Sequence, residues 1–421
     1  MEAPAGGPRA AVRQDGAVST APTRPRAAYA ALWRRPRYRS FVLTVLLSRA
    51  SGMMFNTAGV LLVLARTGSA PLAGATAAAA VLPAALSGPM LGAWLEVAAR
   101  RRVLIVFDQL LSAAALLAIV ALAGHAPDWT VPAVAVLYSI TRPFTSGSFF
   151  SALAEIAGPE LLDAASAIEA SSINLAIIIG PALAGTLAGA TNAATAVETQ
   201  AALTLVAALL IAVNPAFEAR ARERAHSARH AMLQGTRALL RNPILRATAV
   251  AGTLASFGWG LMMVGFPLYA ARTLHSSTNA GGYLWAGVAL GSIVGTFALR
   301  GSPALLRVGV SYGILGLSAL AWPLVHTLVL GVVLVTVTGF LEGPAYSDTI
   351  ALRQRHAPPA VRAQAMTTLT GVGLVALAAG SAIGGAIDQI VPLVVTFVAL
   401  NLLAALAATR GSRSGVAAAS L

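Results

Sequence analysis

The sequence predicts an all-α integral membrane protein of twelve transmembrane helices in two six-helix pseudo-repeats. Three observations lead there: a composition too apolar for a soluble core, arginines confined to alternate loops, and self-similarity at a spacing of 200 residues.

The chain has 421 residues, 57% of them hydrophobic and 10% charged, where soluble domains carry roughly 25% charged residues. A soluble core stops growing with chain length, so the bilayer must be the solvent for most of this surface. The formal charge of +14 does not point to nucleic acid, because most arginines stand between long apolar runs, where they act as topology signals and anchors. All 29 basic residues are arginine, and the chain has neither lysine nor cysteine. Disulfides, thiolate metal sites and cysteine nucleophiles are thereby excluded. So are a Walker A site, which needs its lysine to reach nucleotide phosphates, and any lysine Schiff base. His226 and His230 are spaced as neighbours on a helix but have no third ligand and no glutamate in a His-Glu-x-x-His arrangement, so they read as a solvated face. There is no Gly-x-Ser-x-Gly element for hydrolysis. The expectation is a protein without metal, cofactor or enzymatic activity.

A bilayer core of about 30 Å takes about 20 apolar residues as a helix. On that measure the spans fall at 40–65, 71–95, 103–123, 129–152, 164–190 and 195–213, then 246–271, 279–299, 305–321, 324–350, 363–387 and 390–408. Residues 1–37, rich in Ala, Pro, Gly and Arg, read as a disordered tail. The halves are 38–213 and 246–408, joined by a charged linker at 214–245 and followed by a second tail at 409–421. Twenty-five arginines fall in the tails and in the loops after spans 2, 6, 8 and 10, while only Arg66 and Arg272 fall on the opposite side. By the positive-inside rule both termini are cytoplasmic, in a plasma or inner membrane.

The halves echo one another. Leu64-Ala65-Arg66-Thr67 ending span 1 returns as Ala270-Ala271-Arg272-Thr273 ending span 7. Pro159 and the span 5 segment Gly180-Pro181-Ala182-Leu183-Ala184-Gly185 return 200 residues later as Pro359 and Gly380-Ser381-Ala382-Ile383-Gly384-Gly385. Parallel six-helix repeats place a substrate site near the midplane between the halves.

At these residues the chain resembles the major facilitator superfamily, over roughly 38–408. The superfamily signature after span 2, Gly-x-x-x-Asp-Arg-x-Gly-Arg-Arg, is matched in part by Gly92-Ala93-Trp94-Leu95-Glu96-Val97-Ala98-Ala99-Arg100-Arg101-Arg102. The resemblance implies a latch on the cytoplasmic gate built from Gly92, Glu96, Arg100, Arg101 and Arg102, with Asp108 beyond it. Its exporters share a Gly-Pro-x-x-Gly-Gly element in span 5, here Gly180, Pro181 and Gly185 with Ala184 for one glycine. That element implies a helix bend and favours export. The family's Arg of span 4, followed four residues later by Gly, has a counterpart one residue longer, Arg142 to Gly147.

In that family spans 1, 4, 7 and 10 line a central cavity. Arg49, Met53 and Asn56 share one face of span 1 by their spacing. Arg142 lies about 20 Å down span 4, and Thr338, Glu342, Tyr346 and Thr349 form a polar stripe on span 10. Charges at that depth face the protein, since lipid exposure costs at least ~2.5 kcal/mol. Arg49, Asn56, Arg142, Glu342 and Tyr346 are therefore the substrate and proton-coupling candidates. Glu342 is the foremost, because burial and a nearby arginine push a carboxyl's pKa in opposite directions and movement can switch it. The competing reading is a structural ion pair of Glu342 with Arg49 or Arg142. Phe257, Trp259, Met262, Met263 and Phe266 are either an adaptable wall or packing. The expected function is proton-coupled efflux of a small organic molecule by a monomer whose partners are substrate, protons and lipid. An uptake symporter or a non-transporting sensor or scaffold on the same fold are the alternatives.

Overall fold

The computed structural model describes residues 25–97, 100–218, 241–299, 301–358 and 362–419. The described regular structure is helical: α1 (Pro25–Trp33), α2 (Pro36–Thr67), α3 (Ala70–Ala79), α4 (Leu82–Val97), α5 (Arg101–Leu122), α6 (Thr130–Ile140), α7 (Arg142–Ala157), α8 (Leu162–Ala190) and α9 (Ala193–Val213) make up the N-terminal part. The C-terminal part holds α10 (Pro243–Arg272), α11 (Gly281–Ala298), α12 (Leu305–Ala319), α13 (Leu328–His356), α14 (Arg362–Ala386) and α15 (Ile390–Ala419). Among the described residues, eleven helical stretches are long and apolar enough to cross a bilayer. The twelfth expected span, 129–152, is present as the pair α6 and α7, broken at Thr141.

Local chemistry sets the ends. Gly68 stops α2 in the left-handed region at φ 66°, which glycine adopts without a Cβ clash. Asn242 opens α10 by accepting from the backbone N–H of Ile244 at 2.9 Å, with Pro243 at the first helical position. The expected division at 321–325 is a short 3-10 turn, Trp322–Leu324, whose Trp322 is fully buried.

Two expectations are corrected at the termini. The tail read as disordered to residue 37 carries helix α1, whose Leu32 is fully buried against the start of α2 and α8. The tail from 409 continues α15 as far as Ala419, and Gly411 lies so close to Ala247 of α10 that a side chain there would collide with it. His226 and His230, with most of the expected linker, lie outside the described residues.

The two sets of six spans meet through α8 with α11 and through α3 with α14. Both contacts rest on backbone touching backbone. A Cβ at Gly185 would run into Gly282, one at Gly74 into the Ser381 carbonyl, and one at Gly385 into the Ala70 carbonyl. Small residues permit this approach in lipid, where association relies on van der Waals packing. All three contacts lie toward the side opposite the termini, called outer here. There the chain of α2 is buried on every face from 57 to 64, and α10 from 258 to 270. Toward the termini the same helices alternate buried and exposed positions. The halves are thus closed at the outer side and parted at the inner one.

Gly185→Leu should pry the outer contact apart. In the cysteine-free chain, Asn56→Cys is then expected to gain labelling by an impermeant thiol reagent from the outer side, several-fold over the Gly185 parent. Unchanged labelling would mean that this contact does not hold the outer side shut.

Candidate functional site

Between the parted halves the partly exposed residues of α2 are Gly52, Met53 and Asn56, with Arg49 a turn closer to the termini. From α7 come Arg142 and Ser146, and from α13 Glu342 and Tyr346. All five substrate and coupling candidates are thus partly buried residues of α2, α7 and α13.

The two arginines each have a partner within the N-terminal half. Arg49 forms an ion pair with Glu169 of α8 at 2.5 Å and donates to the Ser172 hydroxyl at 2.8 Å. Both charges are nearly enclosed, at 12% and 5% exposure, so the pair is neutral within the membrane rather than a free cation. Glu169 was not singled out from the sequence. Its only signal was a lone acid one helical turn before two serines, in a span read for its glycines.

Arg142 begins α7 directly after the break. Its guanidinium lies over Gly52, close enough that any Cβ there would strike it. It donates to the Tyr138 hydroxyl at 2.5 Å, and that hydroxyl also receives Gln200 Nε2 at 3.1 Å and donates to the Gly52 carbonyl at 3.3 Å. Stacking of Phe55 on Tyr138, with centroids 4.7 Å apart, fixes the ring that holds the arginine. A similar device stands in the other half: Arg353 of α13 lies over Gly252 of α10 and donates to the Thr248 carbonyl at 2.7 Å.

Neither arginine proposed as the structural partner of Glu342 is engaged with it by any of these bonds. The Glu342 Oε2 is buried without a hydrogen-bond partner. The Trp259 indole N–H is directed at this carboxyl, outside full hydrogen-bond geometry, and the Tyr312 and Tyr346 hydroxyls stand around it. Trp259, Met262, Met263 and Phe266 are buried in an aromatic nest with Trp285, Trp322 and Phe397. They are packing; of the expected apolar wall only Phe257 keeps partial exposure. Asp348 turns away, as its spacing from Glu342 requires, and takes a two-pronged bond from Arg307 at 2.5 and 2.7 Å.

The expected gate latch is distributed differently. Arg101 makes a bidentate pair with Glu155 at the end of α7, at 3.0 and 3.1 Å, and also donates to the Glu218 carbonyl. Arg102 pairs with the Glu218 carboxylate at 2.5 Å, and Arg100 is exposed at the start of α5. Gly92 and Glu96 lie in α4, and the Glu96 side chain is outside what the structure describes. Asp108 stands apart from these arginines, deep in the half, where it accepts from Thr141 at 2.6 Å, from Thr145, and from Gln109 at 3.2 Å. In the span 5 element Pro181 sits inside an unbroken α8, Gly180 packs on the Ala50 carbonyl and Met53, and Gly185 on Gly282. It joins span 5 to span 1 and to the other half.

Comparison with known proteins agrees with this architecture. The family description "Major Facilitator Superfamily" matches residues 41–384. The MFS-type transporter y4rN of Sinorhizobium fredii is 29% identical over 373 residues, covering 85% of this chain and 90% of that one. Among solved structures, the nucleoside transporter NupG superimposes with a TM-score of 0.67 at 14% identity, covering 90% of this chain and 99% of that one. A bacterial homologue of the iron transporter ferroportin, inward-facing, gives 0.65 at 16% identity over 89% of this chain and 98% of that one.

The Arg49–Glu169 pair yields a stability prediction. Arg49→Ala strands a carboxylate among apolar helices and should cost roughly 3–5 kcal/mol, read as a lowered denaturation midpoint in detergent. Adding Glu169→Ala should recover most of that loss, and an additive double variant would contradict the pairing.

Proposed function

Since the chain belongs to the Major Facilitator Superfamily and is a membrane transporter of that family, we propose that it is a proton-coupled exporter of a small organic molecule working by alternating access. The observation that carries the coupling is the state of its membrane carboxyls. Glu155, Glu169 and Asp348 each pair with an arginine and Asp108 accepts from two threonines, whereas Glu342 makes none of the ion pairs seen among the described residues and has only the neutral Trp259 indole directed at it. A carboxylate in a salt bridge is tied to its partner's position. An unpartnered one in a low-dielectric setting can exchange a proton when its surroundings change.

In the proposed cycle, substrate enters from the inner side while the glycine contacts keep the outer side shut. Arg142, Asn56, Tyr346 and Phe257 offer it one cation, an amide, a hydroxyl and an aromatic face. The halves then rock, the outer contacts separate, and substrate leaves as Glu342 takes a proton from that side. Return to the inner-open state delivers the proton inward. Export rather than uptake is favoured by the Gly180, Pro181 and Gly185 element, which here supports both the α8–α2 and the α8–α11 contact. Terminal placement in the cytoplasm and residence in the plasma or inner membrane follow from the arginine distribution.

The test is Glu342→Gln, nearly isosteric but unable to ionise. Compounds that release protons from everted vesicles of the parent identify the substrate. With that substrate, uphill export by Glu342→Gln should vanish while substrate exchange across proteoliposomes persists. Normal uphill export by the variant would remove Glu342 from the coupling role, and parallel loss of exchange and thermal stability would mark it as structural.

A further inference from the structure

Span 2 and span 4 are each broken two residues before a proline, and the two breaks face each other. Pro83 has no N–H to give the Ala79 carbonyl, and the chain turns at 80–81 between α3 and α4. Pro143 likewise cannot serve Ser139, and the Phe144 N–H turns to the Thr141 carbonyl at 2.9 Å. These faults free the carbonyls of Ala79 and Ile140, which would be costly to leave bare in lipid. Each is met from the other span: the Ser139 hydroxyl donates to the Ala79 carbonyl at 3.3 Å, and the Ser87 hydroxyl donates to the Ile140 carbonyl at 2.8 Å. Ser87 belongs to the inner piece of span 2 and Ile140 to the outer piece of span 4, so that bond crosses the hinge, while the Ser139–Ala79 bond ties the two outer pieces together at the breaks.

We propose that Ser87 and Ser139 are positioning residues for transport, which gear the break of span 2 to that of span 4 so that α4 and α7 swing as one leaf of the inner gate. The packing has the form this requires. α3 lies along α6 and α4 along α7, and α4 also reaches α6 across the breaks. The pivot is pinned to the unbroken α5 by Asp108, which accepts from Thr141 at the break and from Thr145 one turn beyond. At the far end of the leaf, Arg101–Glu155 and the bonds from Arg35 to the Ile156 and Ala157 carbonyls hold the present open position. The leaf also carries the chemistry: Arg142 is the first residue beyond the pivot, so swinging α7 moves its guanidinium relative to Gly52. A hinge that absorbs its angle at a few element-end residues is a known mode of domain closure.

The test needs no substrate. Spin-label pairs Met90–Arg355 and Glu160–Arg355, at exposed positions introduced as cysteines, report the gap of α4 and of α7 to α13 separately. They are measured in phosphatidylethanolamine–phosphatidylglycerol nanodiscs, in the parent and in the Gly185→Leu background. With both serines the open fractions from the two pairs should agree in each background. In Ser87→Ala/Ser139→Ala they should part, by about twofold or more in at least one background, and Ser87→Thr/Ser139→Thr should restore agreement. Matching fractions in the double alanine variant, in both backgrounds, would overturn the gearing, as would disagreement in the parent. If the double variant does not fold, the single Ser87→Ala, at a part-exposed position, carries the same comparison.

Discussion

The bilayer core offers no hydrogen-bonding partner, and this one constraint organises the polar groups of the protein. Every charge or bare carbonyl placed at membrane depth must find its partner within the protein. Arg49 finds Glu169, Arg142 finds the Tyr138 hydroxyl, Asp108 finds two threonines, and Arg353 finds the Thr248 carbonyl. The same demand applies to the backbone where prolines interrupt spans 2 and 4, and serines of the opposite span answer it. Against that background Glu342, with a neutral indole and no ion pair seen at it, is the carboxyl on which the proposed coupling rests.

Closure is governed by a second, cheaper contact. Glycines bring the halves backbone to backbone on the outer side at Gly185 with Gly282 and at Gly74 with Ser381. Such contacts hold by van der Waals packing alone and bury few polar groups, so they can be broken and remade without stranding a charge. The strong interactions stay within each half, and the weak ones lie between halves. That division lets the halves move while each keeps its own polar network intact.

Much of the architecture was legible in the sequence because it is written in local terms. Span positions follow from runs of apolar residues, sidedness from arginine counts, and the close helix contacts from the repeated glycines around Gly180 and Gly380. Partnership was less legible, since it joins residues distant in sequence. Glu169 lies 120 positions from Arg49, and nothing in either neighbourhood names the other. Asp108 was grouped with the arginines just before it, yet one further helical turn carries it to the threonines of span 4. The break at Thr141 was signalled by Pro143, but hydropathy runs smoothly across it and reads one span. The helices of both tails escaped because their stability comes from packing, Leu32 into the first half and Gly411 onto Ala247, and not from their own composition.

The central claim is that Glu342 exchanges the transported proton, while arginines hold Glu155, Glu169 and Asp348 in place. Infrared difference spectra of the purified protein in lipid, taken between acid and neutral pH, report this without any knowledge of the substrate. Within the protonated-carboxyl bands, one component should be lost in Glu342→Gln and kept in both Asp348→Asn and Asp108→Asn. A band that persists unchanged in Glu342→Gln would contradict the account.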